Sequence, residues 1–176
     1  MLRNLVPSEV VTSVKALDYQ AKYKAGFRHL LFDLDNTLTT YAFDAPNAEL
    51  ISFINELKAI GFTVSIVSNS GAKRVTPFMD ALGVGGKPSC KKPTIGVLQT
   101  IIGTDLESII LIGDQLLTDV WAANRLGVRS VLVHPIDLST DKAFTKFNRT
   151  LERFFVKRIR SKYPAVYDQR LKSRYE

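Results

Sequence analysis

His29-Leu30-Leu31-Phe32-Asp33-Leu34-Asp35-Asn36-Thr37 joins a short apolar run to two carboxylates and a hydroxyl. The run has the length and composition of a buried strand, and the polar residues begin where it ends. The same arrangement recurs downstream. Phe62 to Val67 reads as a strand and ends at Ser68-Asn69-Ser70-Gly71, and Ser108–Ile112 reads as a strand and ends at Gly113-Asp114. Val128–Val133 is the last clear strand, and a further one near Val84 is faint because Val84–Ser89 is rich in glycine. Between these runs lie helical repeats. Leu50, Phe53, Ile54, Leu57 and Ile60 mark one, closed by Gly61. Ala72–Leu82 holds another, closed by Gly83, in which Pro77 implies a late start or a kink. Pro93 can open a third through Ile95, Leu98 and Ile102, and Val120–Leu126 is a fourth, closed by Gly127. Ahead of them all, Ser8 suits an N-cap, and Val10, Val11, Val14 and Leu17 recur at helical spacing, predicting an N-terminal helix. Strands alternating with helices in this way predict an α/β fold, a Rossmann-like, doubly wound parallel sheet covered on both faces.

Such sheets bind ligands outside the carboxyl ends of their strands. Asp33, Asp35 and Asp114, the hydroxyls of Thr37 and Ser68, and the Lys91-Lys92 pair would therefore gather at one edge. Carboxylates of this kind suit a hard cation such as Mg²⁺, which usually shares a substrate phosphate. A carboxylate held at a strand end can attack phosphorus, the role expected of Asp33. Asp35 can act as general acid and then base. Ser68 and the amides after it, with Asn69, stand at a helix N-terminus suited to a phosphate. Lys92 supplies positive charge for the phosphoryl oxygens, and Asp119 can support the metal site or orient that lysine. Each feature alone is an ordinary turn, cap or surface charge; their shared position after successive strands is what favours chemistry.

Composition removes other classes. The single cysteine, Cys90, rules out an intrachain disulfide and a cysteine metal cluster, and fits a reducing, cytoplasmic setting. No apolar run approaches the ~18 residues of a transmembrane helix, and the N-terminus does not read as a secretory signal. The net charge is +7 over 176 residues, but residues 1–140 are neutral and residues 141–176 carry all of it.

In order, Asp33-x-Asp35-x-Thr37, Ser68, Lys92-Pro93 and Gly113-Asp114-x₄-Asp119 resemble the four motifs of the haloacid dehalogenase (HAD) superfamily of phosphatases. The closer likeness is to its subclass IIIA, the YqeG-like branch, and to the mitochondrial phosphatidylglycerophosphate phosphatases. Asp33-Leu34-Asp35-Asn36-Thr37-Leu38, Gly113-Asp114-Gln115-Leu116-Leu117-Thr118-Asp119 and Thr145-Lys146-Phe147-Asn148-Arg149 carry it. The resemblance implies a Mg²⁺-dependent phosphatase working through an aspartyl-phosphate at Asp33. Asp33, the backbone carbonyl of Asp35 and Asp114 would hold the metal, Asp35 would be the acid/base, and Ser68 and Lys92 would bind the phosphoryl group. Asp119 would support the site. Lys91 and Lys92 are adjacent, and Pro93 favours Lys92 as the family lysine.

Neither the stretch after Thr37 nor the 24-residue interval from Ser68 to Lys92 can hold a cap domain, so the site is expected to be capless and open. It could then admit a phosphorylated substrate as bulky as a lipid headgroup, with phosphatidylglycerophosphate the example the resemblance offers. Two units are expected: residues 1–140 as the phosphatase domain with its N-terminal helix, and 141–176 as a basic helical extension packed on it. Phe144, Phe147, Leu151, Phe154 or Phe155, and Ile159 would dock on the body, while residues 165–176 carry little apolar content and are expected to lack order. The basic helix over 142–162 could instead meet an anionic membrane or another polyanion, placing the protein at the periphery of a membrane. The rival reading is a HAD-like scaffold whose basic tail binds nucleic acid or a ribonucleoprotein with little catalysis.

Overall fold

The computed structural model describes residues 2–176. Six parallel strands form one sheet: β1 (Glu9–Val11), β2 (His29–Phe32), β3 (Thr63–Val67), β4 (Gly85–Lys87), β5 (Ile109–Gly113) and β6 (Arg129–Val133), in the order β1-β6-β5-β2-β3-β4. After β2 the chain first builds outward through β3 and β4, then returns to lay β5 on the other side of β2. The reversal puts the ends of β2 and β5 side by side, with Phe32 in register with Ile112. This is where an open α/β sheet forms its ligand crevice.

The period of two along the central strands feeds two cores. Leu30 and Phe32, with Ile110 and Ile112, pack under α2 (Ala48–Ile60) and α3 (Ala72–Leu82) against Phe53, Ile54, Leu57, Val75 and Phe78. Leu31, Ile109 and Leu111 face the opposite way, onto Leu98, Ala122, Ala123 and Leu126. The last two alanines and Leu126 belong to α4 (Trp121–Leu126), which continues from a wide π-helical turn over Leu116–Val120. Helix α3 runs through Pro77 without a late start.

The N-terminal helix expected over the valine repeat is not formed. Glu9–Val11 is the edge strand β1, paired with Val131–Val133, and Ser8 donates its amide to Ser130 O at 3.1 Å instead of capping a helix. The β-branched pair Val10-Val11 suits the open edge of β6. The first α-helix, α1, is the short Tyr19–Lys24, capped by Asp18, whose Oδ1 accepts from Ala21 N at 2.9 Å. The helix expected after Pro93 is also absent. Residues 93–108 form turns with two 3₁₀ segments, Leu98–Thr100 and Leu106–Ser108. Gly96 and Gly103 weaken a helix there, and the apolar repeat reflects packing of Ile95, Leu98 and Ile102 under the second core.

The glycine-rich strand has a physical reason. Gly86 has φ +149°, and a Cβ there would stand 2.0 Å from Ile66 O, so β4 lies closer to β3 than any side chain permits.

The C-terminal segment forms α5 (Ala143–Lys162), α6 (Pro164–Arg170) and α7 (Lys172–Tyr175). Residues expected to lack order are thus helical, and Tyr167 and Leu171 are buried with Val156 and Ile159 against Leu5, Leu116, Val120 and Leu132. The face that α5 docks is the expected one only at Ile159, which is buried, and Phe155, which packs against the same core. Thr145, Glu152, Val156 and Ile159 are buried, whereas Phe144, Phe147, Leu151 and Phe154 are exposed. Polar pairing set this rotation: Arg149 bonds to Asp114 at the end of β5, and Glu152 accepts from Leu117 N just beyond it. Among the described residues no helix is long and apolar enough to cross a membrane.

Candidate active site

The expected groups converge at the carboxyl edge. Asp33 stands one residue past β2, its amide bonded to Ile112 O at 2.9 Å, which fixes the carboxylate beside the end of β5. Lys92 is buried, and its three protons are all engaged: Nζ donates to Asp33 Oδ1 at 2.7 Å, Asp119 Oδ1 at 2.6 Å and Val67 O at 2.7 Å. Lys91, its neighbour, is exposed. Burial opposes the charge on Lys92, but the Asp119 and Asp33 carboxylates outweigh it and hold the ammonium above its usual range. Burial pushes the Asp33 carboxyl up, further than Lys92 draws it down.

Asp114 is fully buried. It accepts from Thr37 Oγ1 at 3.5 Å and from Arg149 Nη2 at 2.5 Å. Burial, opposed by Arg149, leaves its carboxyl at about 6. Gly113 lets Asp119 approach, since a Cβ there would lie 2.3 Å from Asp119 Cγ. Gln115 N then donates to Asp119 Oδ2 at 3.1 Å, fixing the second oxygen.

Asp35 turns away from this cluster. Its Oδ2 accepts from Ser70 Oγ at 2.6 Å and its Oδ1 from Arg74 Nε at 3.0 Å. Asn36, in the left-handed region at φ 63°, ties the turn to the loop after β6: Nδ2 donates to Asp141 Oδ1 at 2.5 Å and Oδ1 accepts from Asp137 N at 3.1 Å. Ser68 is buried, and its Oγ accepts from Ser70 N at 3.1 Å. The Asn69 side chain grips the Lys92 backbone at both ends, accepting from its amide at 2.7 Å and donating to its carbonyl at 2.9 Å. It therefore positions the lysine, which leaves only its backbone amide for a phosphate.

These residues border a cavity of about 340 Å³. Asp33, Asp35, Ser68 and Lys92 line one side, and Lys142, Phe144, Thr145 and Asn148 from the start of α5 line another. The first turns of α5 thus form part of the mouth of a site that carries no inserted cap among the described residues. Two arginines join the expected set. Arg74 fastens Asp35 and also donates to Thr40 O at 2.8 Å. Arg149 bridges Asp114 and Asp141, donating from Nε to Asp141 Oδ2 at 2.5 Å. Burial opposes its charge, and the two carboxylates more than restore it.

One oxygen each from Asp33, Asp114 and Asp119 lies within 4.8 Å of the others, a buried all-oxygen donor set. That chemistry fits a small hard cation. Of the three, Asp119 accepts from Lys92 and Gln115 and Asp114 from Thr37 and Arg149, so both oxygens of each carry a hydrogen bond, whereas Asp33 accepts from Lys92 through Oδ1.

Comparison with known proteins agrees with this chemistry. A family model described as "HAD-hyrolase-like" matches residues 84–135. The chain is 34% identical over 162 residues to the "Probable phosphatase YqeG" of Bacillus subtilis, covering 89% of this chain and 92% of that protein. The chain belongs to the YqeG family of HAD-like phosphatases. Its phosphatase relatives extend to plants and algae. It is 29% identical to the chloroplastic "Phosphatidylglycerophosphate phosphatase 1" of Chlamydomonas reinhardtii, of which it spans 61%. Two solved structures share the fold. One is an uncharacterized protein from Listeria monocytogenes, 17% identical with a TM-score of 0.50, covering 60% of this chain and 78% of that one. The other is a hypothetical protein from Xanthomonas campestris, 20% identical with a TM-score of 0.50, covering 70% and 72%.

Proposed function

We propose that this HAD-like phosphatase hydrolyses a phosphate monoester through an aspartyl-phosphate at Asp33, with Mg²⁺ as its metal. The observation that carries this reading is the buried Lys92 ammonium held between Asp33 and Asp119, with Asp114 beside them at the crevice edge. An Asp33 carboxylate oxygen attacks phosphorus, and the bond to the ester oxygen breaks. Asp35 gives its proton to the leaving oxygen. A water then attacks phosphorus, Asp35 takes that water's proton, and the bond to Asp33 breaks to release inorganic phosphate. Lys92 and the Ser68 hydroxyl, with the amide of Asn69, hold the phosphoryl oxygens as charge moves between them. Asp33, Asp114 and the Asp35 carbonyl would hold Mg²⁺, which when bound offsets phosphoryl charge. Arg74 and Ser70 hold the Asp35 carboxylate turned away from Asp33 and must release it before it transfers its proton.

For the substrate we propose a lipid phosphate such as phosphatidylglycerophosphate, met by an enzyme at the periphery of a membrane on its cytoplasmic side. The capless cavity, the basic helix over 142–162 and the substrate named for the algal relative support this reading. The test is hydrolysis of phosphatidylglycerophosphate against soluble phosphate esters, each with Mg²⁺ and with EDTA. A clear preference for the lipid, lost in EDTA, is expected; equal rates on small soluble esters would contradict it.

A further inference from the structure

The exposed large apolar side chains are not scattered. Phe43 lies on the segment leaving β2, Ile136 and Leu138 on the segment leaving β6, and Phe144, Phe147, Leu151 and Phe154 on α5. All three segments leave the carboxyl edge of the sheet, which bears the cavity. Among the described residues, no exposed large apolar side chain lies on a loop at the opposite edge. Phe144 is 70% exposed and Phe147 63%, and Phe144 also lines the cavity mouth. Apolar surface concentrated this way marks an interaction face.

Helix α5 accordingly has three faces. One is docked on the body. The 3-4-3 spacing of Phe144, Phe147, Leu151 and Phe154 sets a second, unpartnered face. Exposed Lys146, Arg153 and Lys157 form a third along its flank, and the Arg158 guanidinium lies 5.3 Å from the Phe154 ring centroid. An aromatic face bordered by cations is the pattern of a helix lying in a membrane interface. Aliphatic Leu151 and Ile136 offer no ring for a base to stack on, so the face suits acyl chains better than a polynucleotide.

We infer that this rim is a docking surface for an anionic bilayer. The Phe147–Phe154 stripe of α5 enters the interface, and the flanking lysines and arginines meet lipid phosphates. The inference rests on the lipid-phosphate reading of the site and adds how that site is presented. The cavity mouth is held at headgroup level, so the substrate phosphate reaches Asp33 while its acyl chains stay in the bilayer.

The test is co-sedimentation of the full chain with vesicles of phosphatidylcholine, with and without phosphatidylglycerol. One variant, Phe147→Ser/Leu151→Ser/Phe154→Ser, removes the apolar stripe; another, Lys146→Gln/Arg153→Gln/Lys157→Gln, removes the flanking charge. Hydrolysis of p-nitrophenyl phosphate monitors folding and is expected to stay within about twofold in both. Native protein should bind the anionic vesicles, the stripe variant at least about tenfold more weakly, and the charge variant without preference for phosphatidylglycerol. Undiminished vesicle binding by the stripe variant would overturn the inference. So would native protein that ignores vesicles, binds RNA in their place, or self-associates through the stripe. Stripe-dependent vesicle binding without hydrolysis of phosphatidylglycerophosphate would leave the surface standing and remove the lipid-substrate reading.

Discussion

Arg149, two turns into the C-terminal helix, donates to Asp114 at the end of β5, 2.5 Å from Nη2 to Oδ2. The same guanidinium holds Asp141, which in turn accepts from Asn36 in the turn that carries Asp33 and Asp35. The basic extension is therefore wired into the candidate site through buried charges. Arg149→Ala would leave Asp114 and Asp141 buried without a cation. Unfolding in urea should show a loss of about 3 kcal/mol, with phosphatase activity falling alongside. Arg149→Lys keeps one charge without the fork and should recover part of both. An alanine variant as stable as the native chain would show that this link contributes nothing.

Lys92 has every proton committed, so its removal strands Asp33 and Asp119 together. Lys92→Met is expected to lower kcat by about two to three orders of magnitude. Asp119→Asn, which loosens the lysine and keeps its charge, should cost less. Steady-state kinetics on a soluble ester would rank the two, and the reverse order would contradict the arrangement.

Gly113 admits Asp119 at a distance no Cβ allows. Gly113→Ala should displace Asp119 and lower activity with Lys92 intact, whereas Gly86→Ala should cost stability by forcing β4 off β3. Activity and melting temperature, measured for both, separate the two effects. Native activity in Gly113→Ala would show that Asp119 tolerates displacement.

Glu152 gives a pH dependence with a definite sign. Burial holds its carboxyl at about 7, raised from 4.5, although Leu117 N donates to it. The folded chain therefore binds the proton more tightly than the unfolded one. Its contribution to stability is full below pH 4.5 and is lost as pH rises to about 7. Glu152→Gln should flatten this part of the melting-temperature profile and gain on the native chain at alkaline pH. Parallel profiles for the two proteins would contradict it.

Much of the fold and site is legible in the sequence because it rests on apolar runs and on the polar residues that close them. Strands β2, β3 and β5 each end where a polar cluster begins, so Asp33, Ser68 and Asp114 imply one edge. Where local pattern and tertiary partner disagree, the sequence misleads. Val10 and Val11 fit a helical repeat, but the unpaired edge of β6 takes them as a strand. Ile95, Leu98 and Ile102 have helical spacing in a segment broken by Gly96 and Gly103. On α5 two apolar faces compete, and docking is decided by the bonds of Arg149 to Asp114 and of Glu152 to Leu117, each spanning more than thirty residues. Nothing local to Arg74 or Arg149 says which carboxylate it will meet, although Arg149 sits in the Thr145–Arg149 stretch that carries the family likeness.

We propose that Asp33 takes the phosphoryl group. Acid quench of the protein turning over a radiolabelled phosphate ester with Mg²⁺ tests it most directly, with the labelled peptide then mapped. Label on the peptide containing Asp33, released by hydroxylamine and absent from a folded Asp33→Asn variant that no longer turns over, is the predicted result. Turnover retained by Asp33→Asn, or label on another residue, would contradict it.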